Sequence, residues 1–444
     1  MKKTILILAA MMSLSLQAQR KWTLEDCISY AIENNITLKQ ARLQKQSATE
    51  DTHQAAAAFL PTLSASTNQS LGYRPWQDAG TSTVTNGVVN SKVDKTYYNG
   101  SYGVNASWTV WSGGQRTNQF RLSRLSEQQA EMSIDETANS IQEKIAQLYV
   151  QILYMREAIA VNRQSLLTSK KNEERGQQMV EVGKMSKADL AQLTAQRAAD
   201  EYSVVEGESN LANYKLQLKQ LLEITGDESF DIAVPPTTDA QALAAIPSLT
   251  SVYESALANR PEIQSALLGL KSSDLQVKIA KAGWLPTVSL TGGIGTSTNS
   301  LSANSWGNQI KTNFDASAGV GVSIPISDGR KTKTSVNKAQ LQREQAQLDL
   351  IDKQKKLYST IEGFWLDAQT NQQKFRTATS TVESEQQSYD LLSEQFQLGL
   401  KNIVELMTGK DKLLQAQQNK LQSKYVTILS LQLLKFYQGE EMKI

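Results

Sequence analysis

The sequence predicts an α+β membrane protein that joins long antiparallel coiled-coil helices to four membrane-spanning β-strands per chain. Two very long stretches, 116–182 and 331–398, are rich in helix-forming residues and contain no proline. Four shorter stretches alternate apolar and small polar residues with almost no charge, which is typical of strands between lipid and water. The whole arrangement occurs twice along the chain, which indicates an internal duplication.

The N-terminus has the pattern of a secretory signal peptide, which we place at residues 1–18. Lys2 and Lys3 form its basic end, an apolar stretch follows, and Ala18 suits the cleavage position. The apolar stretch is shorter than the roughly 20 residues that a membrane-spanning helix needs. We therefore expect an exported chain whose mature form has no membrane-spanning helix.

The composition argues against several functional classes. The chain has 46 Lys and Arg residues against 44 Asp and Glu residues, a balance that does not suit a nucleic-acid-binding protein. Its one cysteine, Cys27, is expected to be a small buried hydrophobic residue. Its one histidine, His53, has no metal ligand or catalytic partner at a suitable spacing, so we expect a surface residue. The sequence predicts neither a cofactor nor an enzyme.

The first long helical stretch, 116–182, carries apolar residues that alternate spacings of four and three, as in a heptad repeat. These residues are Ile141, Ile145, Leu148, Ile152, Met155 and Ile159. A helix of that length spans about 100 Å, which is too long for one globular core. It must therefore lie along other long helices. The second stretch carries its own stripe at Leu357, Ile361, Phe364 and Ala368.

Gly183 and Gly399 follow the two long helical stretches, and a further helical stretch follows each glycine. A glycine directly after a helix suits the left-handed conformation that ends many helices. We therefore expect two antiparallel helical hairpins, each with a tight tip at its glycine.

Four strands are predicted, at 61–74, 97–111, 287–297 and 314–326. Each has one mostly apolar face and one face of Ser, Thr, Asn and Gly, and each is long enough for a tilted membrane-spanning strand. A soluble sandwich with one wet face is the weaker alternative, because the chain offers no second sheet. Four strands cannot close a barrel, and open edges cannot lie in lipid. Several identical copies must therefore contribute strands to one shared barrel, and the residues alone do not determine the number of copies.

The duplication defines the domain plan. Leu60-Pro61-Thr62 recurs as Leu285-Pro286-Thr287 at an offset of 225 residues, and neighbouring positions match at the same offset. Each half reads as helix, strand, loop, strand, long helix, glycine turn and helix. We assign 19–225 to the first repeat, 226–248 to an equatorial linker and 249–444 to the second repeat.

With these strand starts, the strand ends Ser112-Gly113-Gly114 and Asp328-Gly329-Arg330, and the two glycine tips, the sequence resembles the TolC family of outer-membrane efflux proteins. The resemblance covers essentially the whole mature chain. It implies a homotrimer whose twelve-stranded barrel meets the lipid of the outer membrane of a Gram-negative bacterium, with a twelve-helix barrel as a tunnel through the periplasm.

The same resemblance implies the function and the partners. The chain would be the passive channel-tunnel of a tripartite efflux or type I secretion system. Its tip residues would contact a periplasmic membrane-fusion adaptor, and an inner-membrane RND, ABC or MFS transporter would supply the energy. The tip residues are Val182, Gly183, Lys184, Leu398, Gly399 and Leu400.

The resemblance also implies a periplasmic gate. Glu405 occupies the position of an acidic residue that lines the constriction, whereas Thr408 stands where the family archetype has a second aspartate. This departure leaves the ion selectivity open. Lys401 and Asp189 occupy positions that help to hold the closed state, so we predict a Lys401–Asp189 contact that biases the gate shut. The alternative is that these residues are ordinary solvated helix charges.

Two other classes of protein remain as alternatives. A periplasmic adaptor also has long helical hairpins, but it usually carries a single hairpin and no lipid-compatible strands. A trimeric surface stalk would have long helices without a duplicated strand–helix plan.

Overall fold

The computed structural model describes residues 21–76, 79–84, 87–92, 94–226 and 230–443 of the 444-residue chain. The predicted signal peptide lies outside these residues. The helices are α1 (Leu24–Asn34), α2 (Ile36–Ala57), α3 (Gln115–Glu181), α4 (Lys187–Leu221), α5 (Asp239–Ala242), α6 (Leu249–Asn259), α7 (Pro261–Ala282), α8 (Trp306–Thr312), α9 (Lys331–Gln397) and α10 (Ile403–Tyr437). The strands are β1 (Lys21–Trp22), β2 (Thr62–Tyr73), β3 (Ala79–Val84), β4 (Gly87–Lys92), β5 (Thr96–Trp111), β6 (Asp231–Ile232), β7 (Thr287–Asn299) and β8 (Asp315–Ser323).

The chain forms two compact units. The larger unit comprises the chain up to Gln44, Ala130–Ala266 and Asp349 onwards, and it holds most of the long helices. The smaller unit comprises Lys45–Gln129 and Leu267–Leu348, and it holds the main sheet with the helix segments that enter and leave it. Among the helices of the described ranges, none is long and apolar enough to cross a membrane.

The two long helices have equal lengths. Helices α3 and α9 each contain 67 residues, and the helices that follow them, α4 and α10, each contain 35 residues. Helices this long gain little from intrinsic propensity alone and depend on packing of their apolar stripe. The predicted stripes do pack: Ile145, Ile152 and Ile361 are fully buried in the main apolar core of the larger unit. The heptad prediction is confirmed at these positions.

In the larger unit, the short strands β1 and β6 pair in parallel. The Tyr149 hydroxyl of α3 donates a hydrogen bond to the carbonyl oxygen of Ala233 at 2.6 Å, just beyond β6. Cys27 of α1 is buried in the same core, as predicted. This contact network fixes the 226–248 segment, as far as it is described, against α3.

The main sheet of the smaller unit is antiparallel, with the strand order β2-β5-β7-β8. Its register aligns Ala65, Val104, Ile294 and Ala316 in one row across the four strands. These residues came from the apolar faces predicted separately for each strand, and cross-strand neighbours share a face. The predicted apolar faces therefore form one continuous face of the sheet.

Two details differ from the sequence-based expectations. Strand β8 ends at Ser323, whereas we expected the strand to run to residue 326; Pro325 lacks the N–H that a ladder needs. The loop expected after β2 contains a separate hairpin of β3 and β4. Its alternation of Thr, Ser and Val is too short and polar to stand out from a loop.

Candidate functional site at the hairpin tips

Both hairpin tips have the same backbone geometry. Gly183 and Gly399 each have a φ of 74°. In the first tip the amide of Lys184 donates to the carbonyl of Met179 at 2.8 Å, and in the second the amide of Leu400 donates to that of Gln395 at 2.9 Å. This is the Schellman pattern, which ends a helix through a left-handed residue. The sequence-based assignment of two glycine tips agrees with this geometry.

Large apolar side chains surround the tip glycines and face solvent. Val182 is 68% exposed, Leu398 is 75% exposed and Leu400 is 71% exposed. Apolar side chains clustered at an exposed tip are typical of a surface that contacts another protein. The tip residues therefore form a candidate contact surface.

Glu405 and Lys401 pair with each other at the start of α10. Lys401 Nζ lies 2.6 Å from Glu405 Oε1, and the two residues are one helical turn apart. The backbone amide of Asn402 donates to Glu405 Oε2 at 3.1 Å, and the Asn402 side chain accepts from the amide of Glu405 at 3.0 Å, forming a capping box. The hydrogen bond from Lys401, followed by that from Asn402, holds the pKa of Glu405 below its usual range.

Asp189 has a separate local role at the start of α4. Its carboxylate accepts a hydrogen bond from the Ser186 hydroxyl at 2.8 Å, and the Ser186 side chain accepts from the Asp189 amide at 3.1 Å. Lys401 therefore pairs with Glu405, not with Asp189, in this structure. The capping box holds the Glu405 carboxylate within reach of Lys401, which sequence spacing alone did not reveal. The Lys401–Asp189 contact stays a prediction.

Thr408 is exposed one turn further along α10, and its hydroxyl donates to the carbonyl of Val404 at 2.7 Å. The side chain is neutral and already satisfied by its own helix. Of these two positions, only Glu405 carries a charge.

In the described part of the chain, no group of three or more His, Cys, Asp or Glu side chains is placed to hold a metal ion. His53 is a surface residue, as predicted, beside Glu50 at 3.5 Å.

A small apolar cluster joins the two hairpins above the tips. Leu193 of α4 packs with Phe396 of α9 and with Ile403 and Leu406 of α10. All four side chains are buried. The cluster contains residues from both hairpins. It therefore packs the two tips of one chain against each other, in addition to the hydrogen bonds within each turn.

A buried ion pair between the hairpins was not predicted from the sequence. Lys410 of α10 donates to the Asp200 carboxylate of α4, and the Ser169 hydroxyl of α3 donates to the same carboxylate. The Lys410 and Asp200 side chains are 5% and 6% exposed. Gln196 of α4 adds a further link, a hydrogen bond to Asp411 Oδ1 of α10 at 3.1 Å.

A sequence signal for this pair does exist. Lys410 lies seven residues after Ile403 and four after Leu406, and Asp200 lies seven after Leu193 and four before Val204. Both charged residues therefore occupy the apolar stripe of their helix, where a heptad normally places apolar side chains. A polar residue at such a position is unfavourable unless it finds a partner, so two of them on facing helices predict a pair.

Most of this chain matches a known protein family. A family model described as "Outer membrane efflux protein" matches residues 27–223 and 252–440. The chain is 22% identical over 416 residues to outer membrane efflux protein BepC of Brucella suis, covering 93% of this chain and 84% of that protein. It is also 22% identical over 417 residues to toxin and drug export protein A of Aggregatibacter actinomycetemcomitans, covering 90% of this chain and 82% of that protein.

The fold is also known from solved structures. The crystal structure of the outer membrane protein VceC from Vibrio cholerae is similar with a TM-score of 0.79 and 17% identity, covering 95% of this chain and 97% of VceC. At that identity the similarity shows a shared fold, while the match of the family model to most of the sequence shows the family. The chain belongs to the outer membrane efflux protein family.

Proposed function

We propose that this chain is the outer-membrane channel of a tripartite efflux or type I secretion system, which conducts substrates passively from an inner-membrane pump. Family membership places it in the outer membrane of a Gram-negative bacterium. The observation that carries the proposal is the pairing of two glycine-tipped helical hairpins with a charge-poor four-stranded sheet. The hairpins suit a tunnel through the periplasm, and the sheet suits the membrane. The chain supplies no catalysis in this scheme.

The sheet requires identical copies to complete it. Strands β2 and β8 are the two edges of the sheet, and open edges cannot lie in lipid because their N–H and C=O groups would be unsatisfied. We propose that β2 of one copy pairs with β8 of the next. Three copies would give a closed barrel of twelve strands, wide enough for a pore. The matching α-helices would form the trimeric tunnel.

The repeat plan supports the same assembly. We propose that residues 19–225 and 249–444 are duplicated repeats, joined by an equatorial linker at 226–248. The two separate matches of the family model, 27–223 and 252–440, support this division. Each repeat contributes two strands of the sheet and one hairpin, so the closed assembly would have approximate sixfold symmetry.

The hairpin tips are the proposed docking and gating end. The exposed side chains of Val182, Leu398 and Leu400 would meet a periplasmic membrane-fusion adaptor, together with Gly183, Lys184 and Gly399. Glu405 would line the constriction, with the neutral Thr408 one turn away. In the closed channel we propose that Lys401 turns from Glu405 to Asp189 and restrains the tips. The transporter behind the adaptor would be of the RND, ABC or MFS class.

The proposal is tested on the full-length protein extracted from isolated outer membranes. A detergent-corrected mass of three chains and discrete conductance steps in a planar lipid bilayer are expected. A stable monomer, or a protein released from membranes without detergent, would contradict the shared barrel and favour an adaptor or a surface stalk. A trimer that forms no pore would contradict the channel function while leaving the trimer in place.

A further inference from the structure

Basic residues gather where the main sheet of the smaller unit joins its helices. The ten residues before β2, after β5, before β7 and after β8 contain one carboxylate, that of Asp328. We call the cations of these same segments the basic collar: Arg116, Arg121, Lys278, Lys281, Arg330, Lys331 and Lys333. At the other end of the sheet, the loop 74–95 carries both signs of charge and the loop 300–314 carries a single charged residue, Lys311.

Within the part of the chain that the structure describes, no carboxylate is paired with a cation of the collar. Lys278, Lys281, Arg330, Lys331 and Lys333 are exposed, and no salt bridge involves them among the described residues. The one carboxylate of these segments is that of Asp328, whose Oδ2 accepts a hydrogen bond from the amide of Thr332 at 2.7 Å at the start of α9. Asp274, one turn before Lys278 on α7, is paired with Arg343. Like charges held close together repel, so the collar favours an anion that is not part of the chain.

Exposed apolar side chains lie between the collar and the strands. Phe59, Leu60, Trp284 and Leu285 precede β2 and β7, and Trp284 is 51% exposed. The indole N–H of Trp108, on the apolar face of β5, donates to the carbonyl of Phe59 at 2.8 Å. Aromatic and apolar side chains at this level are typical of the boundary between lipid tails and head groups. The collar then lies just on the polar side of that boundary.

Arg116 is the residue of the collar whose position relative to the two faces of the sheet can be read from its contacts. Its guanidinium lies 5.4 Å from the centre of the Phe59 ring, and it donates to the carbonyl of Ala58. The carbonyl of Phe59 also accepts the hydrogen bond from Trp108, which is on the apolar face of the sheet. Arg116 therefore lies on the same side of the sheet as that face. The other cations lie within ten residues of a strand, or about 15 Å along a helix, and long Lys and Arg side chains can extend toward the head groups.

Neighbouring copies would leave much of the collar uncovered. Within the smaller unit, Thr49 of α2 bonds to Glu127 of α3, Gly269 of α7 lies against Gln129 of α3, and Arg343 of α9 pairs with Asp274 of α7. Helices α2 and α9 are therefore the edges that a neighbouring copy would meet. Arg121, Lys278 and Lys281 lie on the central helices α3 and α7.

We propose that the basic collar binds the phosphate groups of anionic phospholipids in the leaflet of the outer membrane that adjoins the helices. The proposal rests on the membrane insertion of the sheet proposed above. Lys and Arg residues beside a membrane attract anionic lipids. The arginines suit bidentate contacts to phosphate and the lysines act as mobile point charges.

The test compares two fourfold variants of the full-length protein. The collar variant is Lys278→Gln, Lys281→Gln, Lys331→Gln and Lys333→Gln. The matched control is Lys170→Gln, Lys171→Gln, Lys355→Gln and Lys374→Gln, four exposed lysines of the larger unit. Each purified trimer is incubated with mixed micelles of phosphatidylglycerol and phosphatidylcholine in equal amounts, and the retained lipids are quantified after washing.

The parent and the control are expected to retain phosphatidylglycerol in preference, and the collar variant to lose that preference by about fivefold or more. Raising the salt concentration to about 0.5 M should weaken the preference of the parent, because exposed charges are screened. A parent without preference, or a collar variant equal to the control, would overturn the proposal. The absence of any lipid preference in the parent would overturn the proposal even where the variant fails to assemble. A protein that never enters micelles or membranes would instead contradict the proposed function.

Discussion

Lys410 of α10 donates a hydrogen bond to Asp200 of α4 in a place where both side chains are almost fully buried. The pair joins the two hairpins of one chain. A buried ion pair is a weak source of stability compared with well-packed apolar residues, because both charges lose their water. It does, however, form in only one alignment of the two helices. Its expected role is to fix the register of the hairpins.

Lys410→Met is expected to destabilise the protein by about 3–5 kcal/mol, because the change leaves the Asp200 carboxylate buried without its cation. The double variant Lys410→Met with Asp200→Leu should recover most of that loss, since no unpaired charge remains. Chemical unfolding of the three proteins measures the difference. Lys412→Met is the control, because Lys412 is exposed two residues further on. A single variant as stable as the control would show that the pair is not buried in solution.

The sequence was sufficient for the features that repeat. Heptad spacing identified Ile145 and Ile361 as core residues, because that pattern reports on burial. Alternation identified the row that contains Val104 and Ile294, because successive side chains of a strand lie on opposite faces of the sheet. The tip glycines were also found, since a left-handed residue after a long helix has few alternatives to glycine.

The features that depend on one particular partner could not be predicted in the same way. Lys401 pairs with Glu405 because the Asn402 capping box orients the carboxylate, a detail of side-chain geometry. The Lys410–Asp200 pair depends on which helices face each other. The β3–β4 hairpin was missed because its short stretches of Gly, Thr, Ser and Val show no clear alternation of apolar and polar residues.

Gly183→Ala and Gly399→Ala are each expected to destabilise their hairpin tip by about 1–2 kcal/mol. Both glycines have a φ of 74°, a left-handed conformation that places a Cβ too close to the backbone. A steric clash with neighbouring residues is not the cause, because nothing lies within 4 Å of an added Cβ at either position. Hydrogen exchange of the tip amides measures the local opening.

Gly363→Ala is the matched control for the tip glycines. It also has open space around an added Cβ, but it lies in the interior of α9 with ordinary helical geometry. There alanine should stabilise the helix by up to about 1 kcal/mol, because glycine is the poorer helix former. Equal protection of the tip amides in all three variants would contradict the left-handed geometry of the tips.

The charge of Glu405 is expected to persist to unusually low pH. Hydrogen bonds from Lys401 and Asn402 lower its pKa in the folded protein, so the stabilisation they give is complete above the unfolded pKa of about 4.3. It is lost as the pH falls through the lower folded pKa. Protonation of Glu405 would also release Lys401.

We expect the parent channel to change its conductance only at a pH below the ordinary carboxyl range, and Glu405→Gln to lack that transition. Single-channel recording between about pH 3 and pH 7 covers the relevant range. Asp411→Asn serves as a control, because burial raises the pKa of that carboxyl, the opposite direction from Glu405. A parent transition near neutral pH would contradict the assignment to Glu405.

Thr408→Asp is expected to increase the selectivity of the channel for cations. The Thr408 hydroxyl is satisfied by the carbonyl of Val404, so the position now adds no charge to the proposed constriction. An aspartate there would place a second carboxylate one turn from Glu405 in each copy of the proposed trimer, and rings of carboxylates favour cations. Reversal potentials in a salt gradient measure the change.

Thr408→Asn and Lys401→Ala complete the same experiment. The asparagine has a similar shape without charge, so it should leave the reversal potential of the parent unchanged. Lys401→Ala removes the cation beside Glu405, which should raise both cation selectivity and, if the Lys401–Asp189 contact restrains the closed channel, the conductance. Raised selectivity with unchanged conductance would place Lys401 in the conduction path without a gating role. If Thr408→Asp and Lys401→Ala both behave like the parent, these side chains are ordinary solvated helix residues and the constriction lies elsewhere.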